Sequence, residues 1–408
     1  MTKLWRNGIV SFQSGREKAG DGMRMCGKYR WGLIFLLSGL LACTGCGKNE
    51  KQETGQKKNE TMSYVNRMRM QVKEEGIFYL DGYTTLMMFY DYNMGESMPI
   101  CDKPNCKHNS ADCNAFIQNG FQSAVANYRG KLYFIDPTSS ECILYESDLN
   151  GDNRRGIAKL NEKQKHAVAT LELPIYFYDD KMYFGMTYSD FLEKPVTEEN
   201  GTVKNMKDTW EIIEVSLSDG TITSVKEPEE IDMTNSYVTI DEYFGDSVLF
   251  SLGRDMYLYD MKNKEEKQVF SGNDQNNYIG INVEKGMLYY WKDTEQETEV
   301  FQVDMNSLEE KSVIKKKKNA EMSYWILWQN KLYYSFHNGE QNLSDGTIGM
   351  YDLKEKKEVK LTKEEWLYIP QYESENWYIL MTKDGVSCIK KSDYEKKKWD
   401  KIQVLGPF

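Results

Sequence analysis

The chain has 408 residues and a formal net charge of −11 at pH 7, with 8 cysteines and only 3 histidines. This acidic balance opposes nucleic acid or an anionic lipid surface as a partner. The low proline count of 8 and the high tyrosine count of 28 are typical of long runs of paired β-strand.

An export signal is predicted near the N-terminus. Three basic residues, Arg24, Lys28 and Arg30, precede a short apolar run at 31–42. A charged region, an apolar core and a small residue at the cleavage point are typical of a secretory signal. The apolar run is shorter than the roughly 20 residues that a bilayer-spanning helix needs. Residues 1–42 are therefore assigned to an N-terminal extension and a signal peptide.

The apolar run ends in the sequence LLAC at residues 40–43. This ending resembles the lipobox of bacterial lipoproteins, in which the cysteine receives diacylglycerol and becomes the new N-terminus. The resemblance implies lipid attachment at Cys43, with Cys46 as a second frame. It also implies an exported protein anchored by lipid to the outer face of the bacterial cell membrane. An ordinary secretory signal with an incidental cysteine is the alternative.

A solvated tether is predicted at 43–61. Residues 48–60 contain no large apolar side chain, so they cannot bury enough surface to offset the entropy of ordering. We expect this segment to lift a folded domain, residues 62–408, away from the membrane.

The chain from residue 62 onward is built from internal repeats. A turn residue followed by apolar and aromatic residues returns every 40 to 66 residues, at 76–79, 130–134, 180–184, 246–250, 286–290, 330–334 and 376–380. In the middle repeats a second apolar element follows, such as 144–149, and then a polar turn and a further short strand. Each unit is therefore predicted to supply about four strands joined by tight turns.

Seven such units predict an all-β fold, a β-propeller of seven four-stranded blades. One unit cannot bury both of its faces, whereas blades packed in a ring can. Six blades plus an N-terminal cap is the near alternative, because the first repeat is the least regular. Two stacked β-sandwich domains are a more distant one. The longest spacing contains an insertion at 189–209, which is expected to form a protruding loop.

The repeated unit of the form GKLYF…LYxxDL resembles the repeats of TolB-like and YWTD-like β-propellers over residues 62–408. A lipobox, a polar tether and a propeller together resemble a group of uncharacterised bacterial surface lipoproteins. The resemblance implies binding of a ligand or protein in a central funnel, usually without chemistry. The full YWTD tetrapeptide is absent from the chain, so receptor-type partners are not implied.

The segment CDKPNCKHNSADC at 101–113 places Cys101, Cys106, His108 and Cys113 in one short loop. Three thiolates and an imidazole suit a tetrahedral zinc ion, although the spacing differs from that of common zinc motifs. Export favours disulfide bonding instead, and unpaired thiols are a third reading. All three alternatives stay open, and in each of them the cluster pins a loop between blades.

Aromatic side chains are the best indication of a binding surface. The strand that precedes each repeated anchor should be the innermost strand of its blade. The candidate ligand-contact residues on these segments are Tyr237, Tyr278, Trp325, Trp328 and Trp366. Such rings could stack on sugars or hold peptide side chains. The competing interpretation is that they fill space between blades.

No catalytic residue is nominated, since the chain has no G-x-S-x-G, no HExxH and no phosphate-binding glycine loop. The sequence therefore favours a lipid-anchored extracytoplasmic binding or scaffolding module for a glycan, a peptide or an envelope protein. The alternative is a surface glycoside hydrolase or lyase that uses funnel carboxylates. The one cofactor that the sequence suggests is a structural zinc ion at the 101–113 cluster.

Overall fold

The structure is a computed structural model that describes residues 63–406, apart from gaps at 121–122, 138–140, 163–166, 198–202, 232–236, 274–275, 283–284, 318–321 and 338–346. The predicted signal peptide and tether, with Cys43 and Cys46, lie outside the described residues. No helix in the described part of the chain is long and apolar enough to cross a membrane.

Seven antiparallel sheets follow one another along the described chain. The first short strand is β1 (Ser63–Val65). Blade 1 contains β2 (Met70–Val72), β3 (Gly76–Asp81), β4 (Leu86–Asp91) and β5 (Glu96–Pro99). Blade 2 contains β6 (Val125–Tyr128), β7 (Lys131–Pro137), β8 (Cys142–Ser147) and β9 (Arg155–Lys159). Blade 3 contains β10 (Val168–Tyr178), β11 (Lys181–Thr197), β12 (Val203–Ser216) and β13 (Ile222–Ile231).

The remaining four blades repeat this order. Blade 4 contains β14 (Val238–Tyr243), β15 (Ser247–Leu252), β16 (Asp255–Asp260) and β17 (Glu265–Phe270). Blade 5 contains β18 (Asn276–Asn282), β19 (Met287–Asp293), β20 (Glu297–Asp304) and β21 (Glu310–Lys317). Blade 6 contains β22 (Met322–Trp328), β23 (Lys331–His337), β24 (Thr347–Asp352) and β25 (Lys357–Lys360). Blade 7 contains β26 (Pro370–Glu373), β27 (Trp377–Thr382), β28 (Gly385–Lys390) and β29 (Gln403–Gly406).

Two short helices interrupt this pattern. The helix α1 (Lys363–Leu367) connects blades 6 and 7, and α2 (Lys391–Tyr394) lies between β28 and β29, followed by a 3₁₀ turn at Trp399–Lys401. Thr362 caps α1 in a reciprocal capping box with Glu365.

The seven-bladed prediction is confirmed, and the alternative of six blades plus a cap is wrong. The first repeat forms a complete blade of four consecutive strands, β2–β5. Each repeated aromatic anchor forms the second strand of its blade. Second strands such as β3 and β7 are almost fully buried, because they pack between two neighbouring blades. Fourth strands such as β25 face solvent.

The ring closes without exchange of strands, since blades 1 and 7 are each built from consecutive strands. Side chains hold this seam. The ring of Tyr92 stacks on Trp377 with a centroid distance of 4.7 Å. The hydroxyl of Tyr90 donates a hydrogen bond to Gln403 Oε1 at 3.0 Å. Aromatic rings therefore pack between blades 7 and 1 as they do between other neighbouring blades, and this packing joins the two ends of the domain.

Blade 3 differs from the sequence prediction in two ways. The strand β1 pairs with β10 and makes a five-stranded sheet, so the first strand of the domain belongs to blade 3 and not to blade 1. The insertion at 189–209 was expected to be a protruding loop, but β11 and β12 continue their pairing into it as a two-stranded ribbon. A hairpin can extend in this way because each strand satisfies the other's backbone groups.

Candidate functional site

The four residues of the Cys–His cluster, Cys101, Cys106, His108 and Cys113, lie together in the connection from β5 to β6. Their ligand atoms all lie within 4.8 Å of one another. The Nδ1 atom of His108 is 3.3 Å from the sulfur of Cys113. Cys113 is buried and the other three are half-buried. The structure therefore brings together the set of residues that the sequence singled out.

Backbone amides point at two of the sulfur atoms. The backbone amides of Lys103 and Asn114 lower the pKa of the Cys101 thiol. The N–H group of Ala115 donates to Cys113 Sγ at 3.4 Å. Hydrogen bonds of this kind stabilise a thiolate more than a thiol. The loop thus supplies backbone polar groups beside Cys101 and Cys113.

Two left-handed residues turn the loop tightly enough to place Cys106 and His108 beside the other ligands. Asn105 has a φ of 63° and His108 a φ of 52°, values that non-glycine residues seldom adopt. The ammonium group of Lys103 donates to the carbonyl of Asp112 at 2.7 Å and so ties the two ends of the loop together. Strained backbone of this kind persists only where surrounding contacts enforce it.

The loop is fastened to blade 2 by its neighbours. The guanidinium group of Arg154, the residue directly before β9, donates to the carbonyls of Asn114 at 2.6 Å and Phe116 at 3.0 Å. The amide of Asn150 donates to Asp102 Oδ2 at 2.8 Å. The cluster therefore sits at the junction of blades 1 and 2.

The five described cysteines are free thiols. Burial opposes ionisation of Cys101, but the backbone amides of Lys103 and Asn114, together with the side chains of Cys106 and Cys113, outweigh it and lower the pKa of its thiol. Burial raises the pKa of Cys113 to about 11 and those of Cys142 and Cys388 to about 12. Cys142 and Cys388 lie in apolar cores, where a protonated thiol is chemically inert.

The centre of the ring is occupied by the segment 63–69, named here the channel segment. Its strand β1 pairs with β10 and contacts β2 and β6. These three partners, β2, β6 and β10, are the first strands of blades 1, 2 and 3. The ring of Tyr64 stacks on Tyr176 with a centroid distance of 5.8 Å. Arg67 donates to the carbonyl of Ile240 in β14 at 3.2 Å. The channel segment thus spans the axis from blade 1 to blade 4.

A buried ion pair holds the channel segment in place. Arg67 and the hydroxyl of Ser251 both donate to the carboxylate of Asp241. The side chain of Asp241 is only 4 % exposed, whereas that of Arg67 is 44 % exposed. Burial raises the pKa of Asp241, although Arg67 and Ser251 pull it down. Burial likewise raises the pKa of Glu242, which accepts a hydrogen bond from Tyr176 at 3.3 Å.

The five aromatic candidates do not share one surface. Tyr278 lies in β18, Trp325 and Trp328 lie in β22, and Tyr237 directly precedes β14. Trp366 was expected on an innermost strand, but it lies in α1, because the capping box starts a helix there. Tyr278 interacts electrostatically with Asp241 and Arg67, the two members of the channel ion pair.

The two tryptophans of β22 pack against neighbouring rings. Trp325 is 8 % exposed and lies 5.2 Å from Tyr334 and 6.0 Å from Phe336, measured between ring centroids. Trp328 makes an edge contact with Tyr378 of blade 7 at 6.3 Å. These contacts match the competing interpretation, in which rings fill space between blades.

Sequence reasoning missed the polar residues at the centre of the ring. Arg67, Asp241 and Glu242 carry no motif, and Arg67 belongs to a segment outside the repeats. The one usable signal was the acidic pair Asp241–Glu242, which stands just before the blade 4 anchor on a segment expected to face the channel.

No family model and no curated protein matches this chain. Among solved structures it is similar to an oligogalacturonate lyase in complex with manganese, at 11 % identity over 76 % of this chain and 84 % of that one, with a TM-score of 0.44. It is also similar to TolB from Acinetobacter baumannii, at 11 % identity over 73 % and 62 %, with a TM-score of 0.32. A Mycobacterium tuberculosis puromycin-hydrolyzing peptidase aligns at 11 % identity over 84 % of this chain and 54 % of its own, with a TM-score of 0.43.

Proposed function

We propose that the protein is an exported, lipid-anchored β-propeller that acts as a non-catalytic binding or scaffolding module at the outer face of the bacterial cell membrane. Its partner in this proposal is another envelope protein, in preference to a free glycan or peptide. One observation carries the proposal, namely the free end of the β11–β12 hairpin, residues 190–197 and 203–207, named here the blade 3 ribbon.

Among the residues that the structure describes, neither edge of the blade 3 ribbon pairs with a further strand. Pairing of β10 with β11 ends at Val168 and Ser189, and pairing of β12 with β13 ends at Asp208 and Ile231. Beyond these points the two ribbon strands pair with each other in the described structure. An isolated two-stranded ribbon is only marginally stable in water, and an open edge is a template for a strand from another chain.

Apolar side chains stand on this open ribbon. Phe191 is 72 % exposed, and Val196 and Val203 are more than half exposed. Main-chain pairing along an edge, with apolar side chains giving specificity, is a common mode of protein recognition. A sugar would need a platform of several exposed rings, whereas the ribbon offers one.

The central channel supports the choice of a surface site over a funnel site. A ligand that entered from the side of the channel segment would have to displace β1, the Tyr64–Tyr176 stack and the Arg67–Asp241 pair. Breaking these contacts costs free energy, and the ligand would recover that cost only if it formed equivalent contacts itself. The funnel is therefore a poorer binding site than the ribbon.

Ribbon variants test the proposal. Envelope proteins cross-linked to the wild-type protein are identified, and the main candidate is purified for affinity measurements. We expect the double substitution Phe191→Lys with Val203→Lys to weaken binding at least about 10-fold, which is about 1.4 kcal/mol. The matched control is Tyr83→Lys, because Tyr83 is 81 % exposed in the turn between β3 and β4. Equal affinities of the double variant and the control would refute the ribbon as the binding site.

A surface glycoside hydrolase or lyase remains the second candidate. It is supported by Asp241 and Glu242, two adjacent carboxyl groups whose pKa values burial raises. Two cavities of about 220 and 200 Å³ lie elsewhere, beside Cys113 and beside Glu214. Turnover of an acidic or neutral oligosaccharide that Glu242→Gln abolishes, at unchanged melting temperature, would establish the enzyme. We expect no such turnover.

A further inference from the structure

We propose that the Cys–His cluster is a structural zinc site, with Cys101, Cys106, His108 and Cys113 as its four ligands. The ion would clamp the connection between blades 1 and 2. The inference is independent of the partner proposed above, because it concerns a different part of the molecule and a different measurement.

The geometry of the cluster fits a tetrahedral ion. With Zn–S bonds of about 2.3 Å and a Zn–N bond of about 2.0 Å, neighbouring sulfur atoms lie about 3.8 Å apart and a sulfur and a nitrogen about 3.5 Å apart. The four ligand atoms here all lie within 4.8 Å of one another, and His108 Nδ1 is 3.3 Å from Cys113 Sγ. A small inward movement of the side chains would complete the site.

The surroundings favour thiolate ligands over a disulfide. A disulfide would use two of the three sulfur atoms and would leave the third thiol and the imidazole beside it unbonded, whereas a metal ion would bind all four groups. Instead, the backbone N–H group of Ala115 donates to Cys113 Sγ at 3.4 Å, a contact that suits a sulfur ligand of a metal ion. Beyond the membrane a free thiol cluster would oxidise, and a bound ion protects it.

The charge of the site is balanced by nearby cations. Three thiolates and a neutral imidazole around Zn²⁺ carry a net charge of −1. The ammonium group of Lys103 lies on the same loop, and the guanidinium group of Arg154 interacts electrostatically with Cys113. Arg154 also holds the loop carbonyls of Asn114 and Phe116. The same side chain thus offsets the charge and orients the loop, as outer-shell partners of metal sites commonly do.

The site is closed, and its role is therefore structural. Four protein ligands leave no open position for a water molecule or a substrate, which distinguishes structural from catalytic zinc. The loop it closes is packed on both sides. On the blade 1 side, the N–H of Met87 in β4 donates to the carbonyl of Ala115, and the N–H of Ile117 donates to the carbonyl of Thr85. On the blade 2 side, Arg154 donates to the carbonyl of Asn114. Zinc binding therefore couples to the folding of this junction.

Metal analysis of the full-length protein tests the inference. The protein is purified in detergent under anaerobic conditions without added reductant, its free thiols are alkylated at once, and its zinc content and thiol state are measured by elemental and intact-mass spectrometry. We expect one zinc ion per chain and no disulfide. Replacement of zinc by Co²⁺ should produce the absorption bands of tetrahedral thiolate coordination. Zinc absent from the wild-type protein, or a Cys101, Cys106 or Cys113 disulfide in it, would overturn the inference.

Variants locate the ion. We expect Cys106→Ser to weaken zinc binding at least about 100-fold. The controls are Cys142→Ala, which removes a thiol from an apolar core, and Ser110→Ala, which changes an exposed non-ligand residue of the same loop. Unchanged zinc affinity in Cys106→Ser would refute the ligand assignment.

A second experiment avoids variants, because a variant can fail to fold. Zinc is removed from the wild-type protein with a chelator, and hydrogen exchange is measured with and without the metal. Exchange should rise at 100–120 and stay constant in blade 5, and a uniform response would contradict the local clamp.

Discussion

Replacing Cys43 with serine is expected to move the protein almost completely from the membrane fraction to the soluble fraction. The resemblance to a lipobox implies a diacylglycerol group on this thiol, and each buried CH₂ group contributes about 0.8 kcal/mol of membrane affinity. Two acyl chains anchor a protein stably, and the tether predicted at 43–61 supplies no apolar anchor of its own. Detergent-phase partitioning and the intact mass of the mature protein measure the effect.

The second frame of the signal provides a matched control. Cys46→Ser changes the same functional group three residues away, so we expect it to leave partitioning and lipid mass unchanged. If Cys46→Ser releases the protein and Cys43→Ser does not, attachment occurs at Cys46. If neither substitution changes the membrane fraction, lipid anchoring is refuted, and an ordinary secretory signal becomes the better explanation of 1–42.

The repeat could be predicted from the sequence because its determinants are local. Each second strand needs aromatic and aliphatic residues on both faces, since it packs between two blades, and this requirement recurs in every unit. The turns between strands are also specified by nearby residues, such as the positive-φ glycines Gly130 and Gly286 that precede two of the anchors. A ring of similar units is the arrangement that buries all of these faces together.

The centre of the ring could not be predicted, because its contacts join distant segments without a repeated pattern. Ser63–Val65 is too short to show alternation, and its partner strand lies more than 100 residues away. Arg67 and Asp241 are 174 residues apart. In contrast, the helix at Trp366 had a readable signal. Thr362 and Glu365 have the spacing of a capping box, a local motif that overrides the repeat pattern here and starts a helix.

The Cys–His cluster could be predicted from the sequence in part. Its four residues are adjacent in the chain, so their proximity could be predicted, but the choice between disulfide and metal depends on where each sulfur points. The left-handed turns at Asn105 and His108 and the amides directed at Cys101 are properties of the folded loop. The sequence thus predicted the members of the site, and the structure supplies the geometry from which its chemistry is inferred.

Arg67→Met is expected to destabilise the domain by about 3–5 kcal/mol at pH 7–8, because it leaves the buried carboxylate of Asp241 without its cation. The substitution Asp241→Asn should destabilise the domain less than Arg67→Met does. The side chain of Arg67 is 44 % exposed and can turn to water, whereas that of Asp241 is 4 % exposed and cannot. Chemical denaturation, with hydrogen exchange at 63–69, measures both the loss of stability and the release of the channel segment.

The loss in Arg67→Met should shrink as the pH falls. Burial already holds the pKa of Asp241 above its ordinary value, and Arg67 opposes that shift, so its removal raises the pKa further. The folded variant then binds this proton more readily than the unfolded chain does. Its stability therefore decreases as the pH rises through the window between the ordinary and the raised pKa, and the penalty is absent below that window.

A second arginine–aspartate pair gives the matched control. Arg129 pairs with Asp180 on the surface, where the side chains are 37 % and 72 % exposed. Arg129→Met should cost less than about 1 kcal/mol and show no comparable dependence on pH, because water already screens the pair. Equal losses in the two arginine variants, or a loss in Arg67→Met that does not change between pH 8 and pH 4, would show that the channel segment is held by its strand pairing and ring stacking and not by the buried charge.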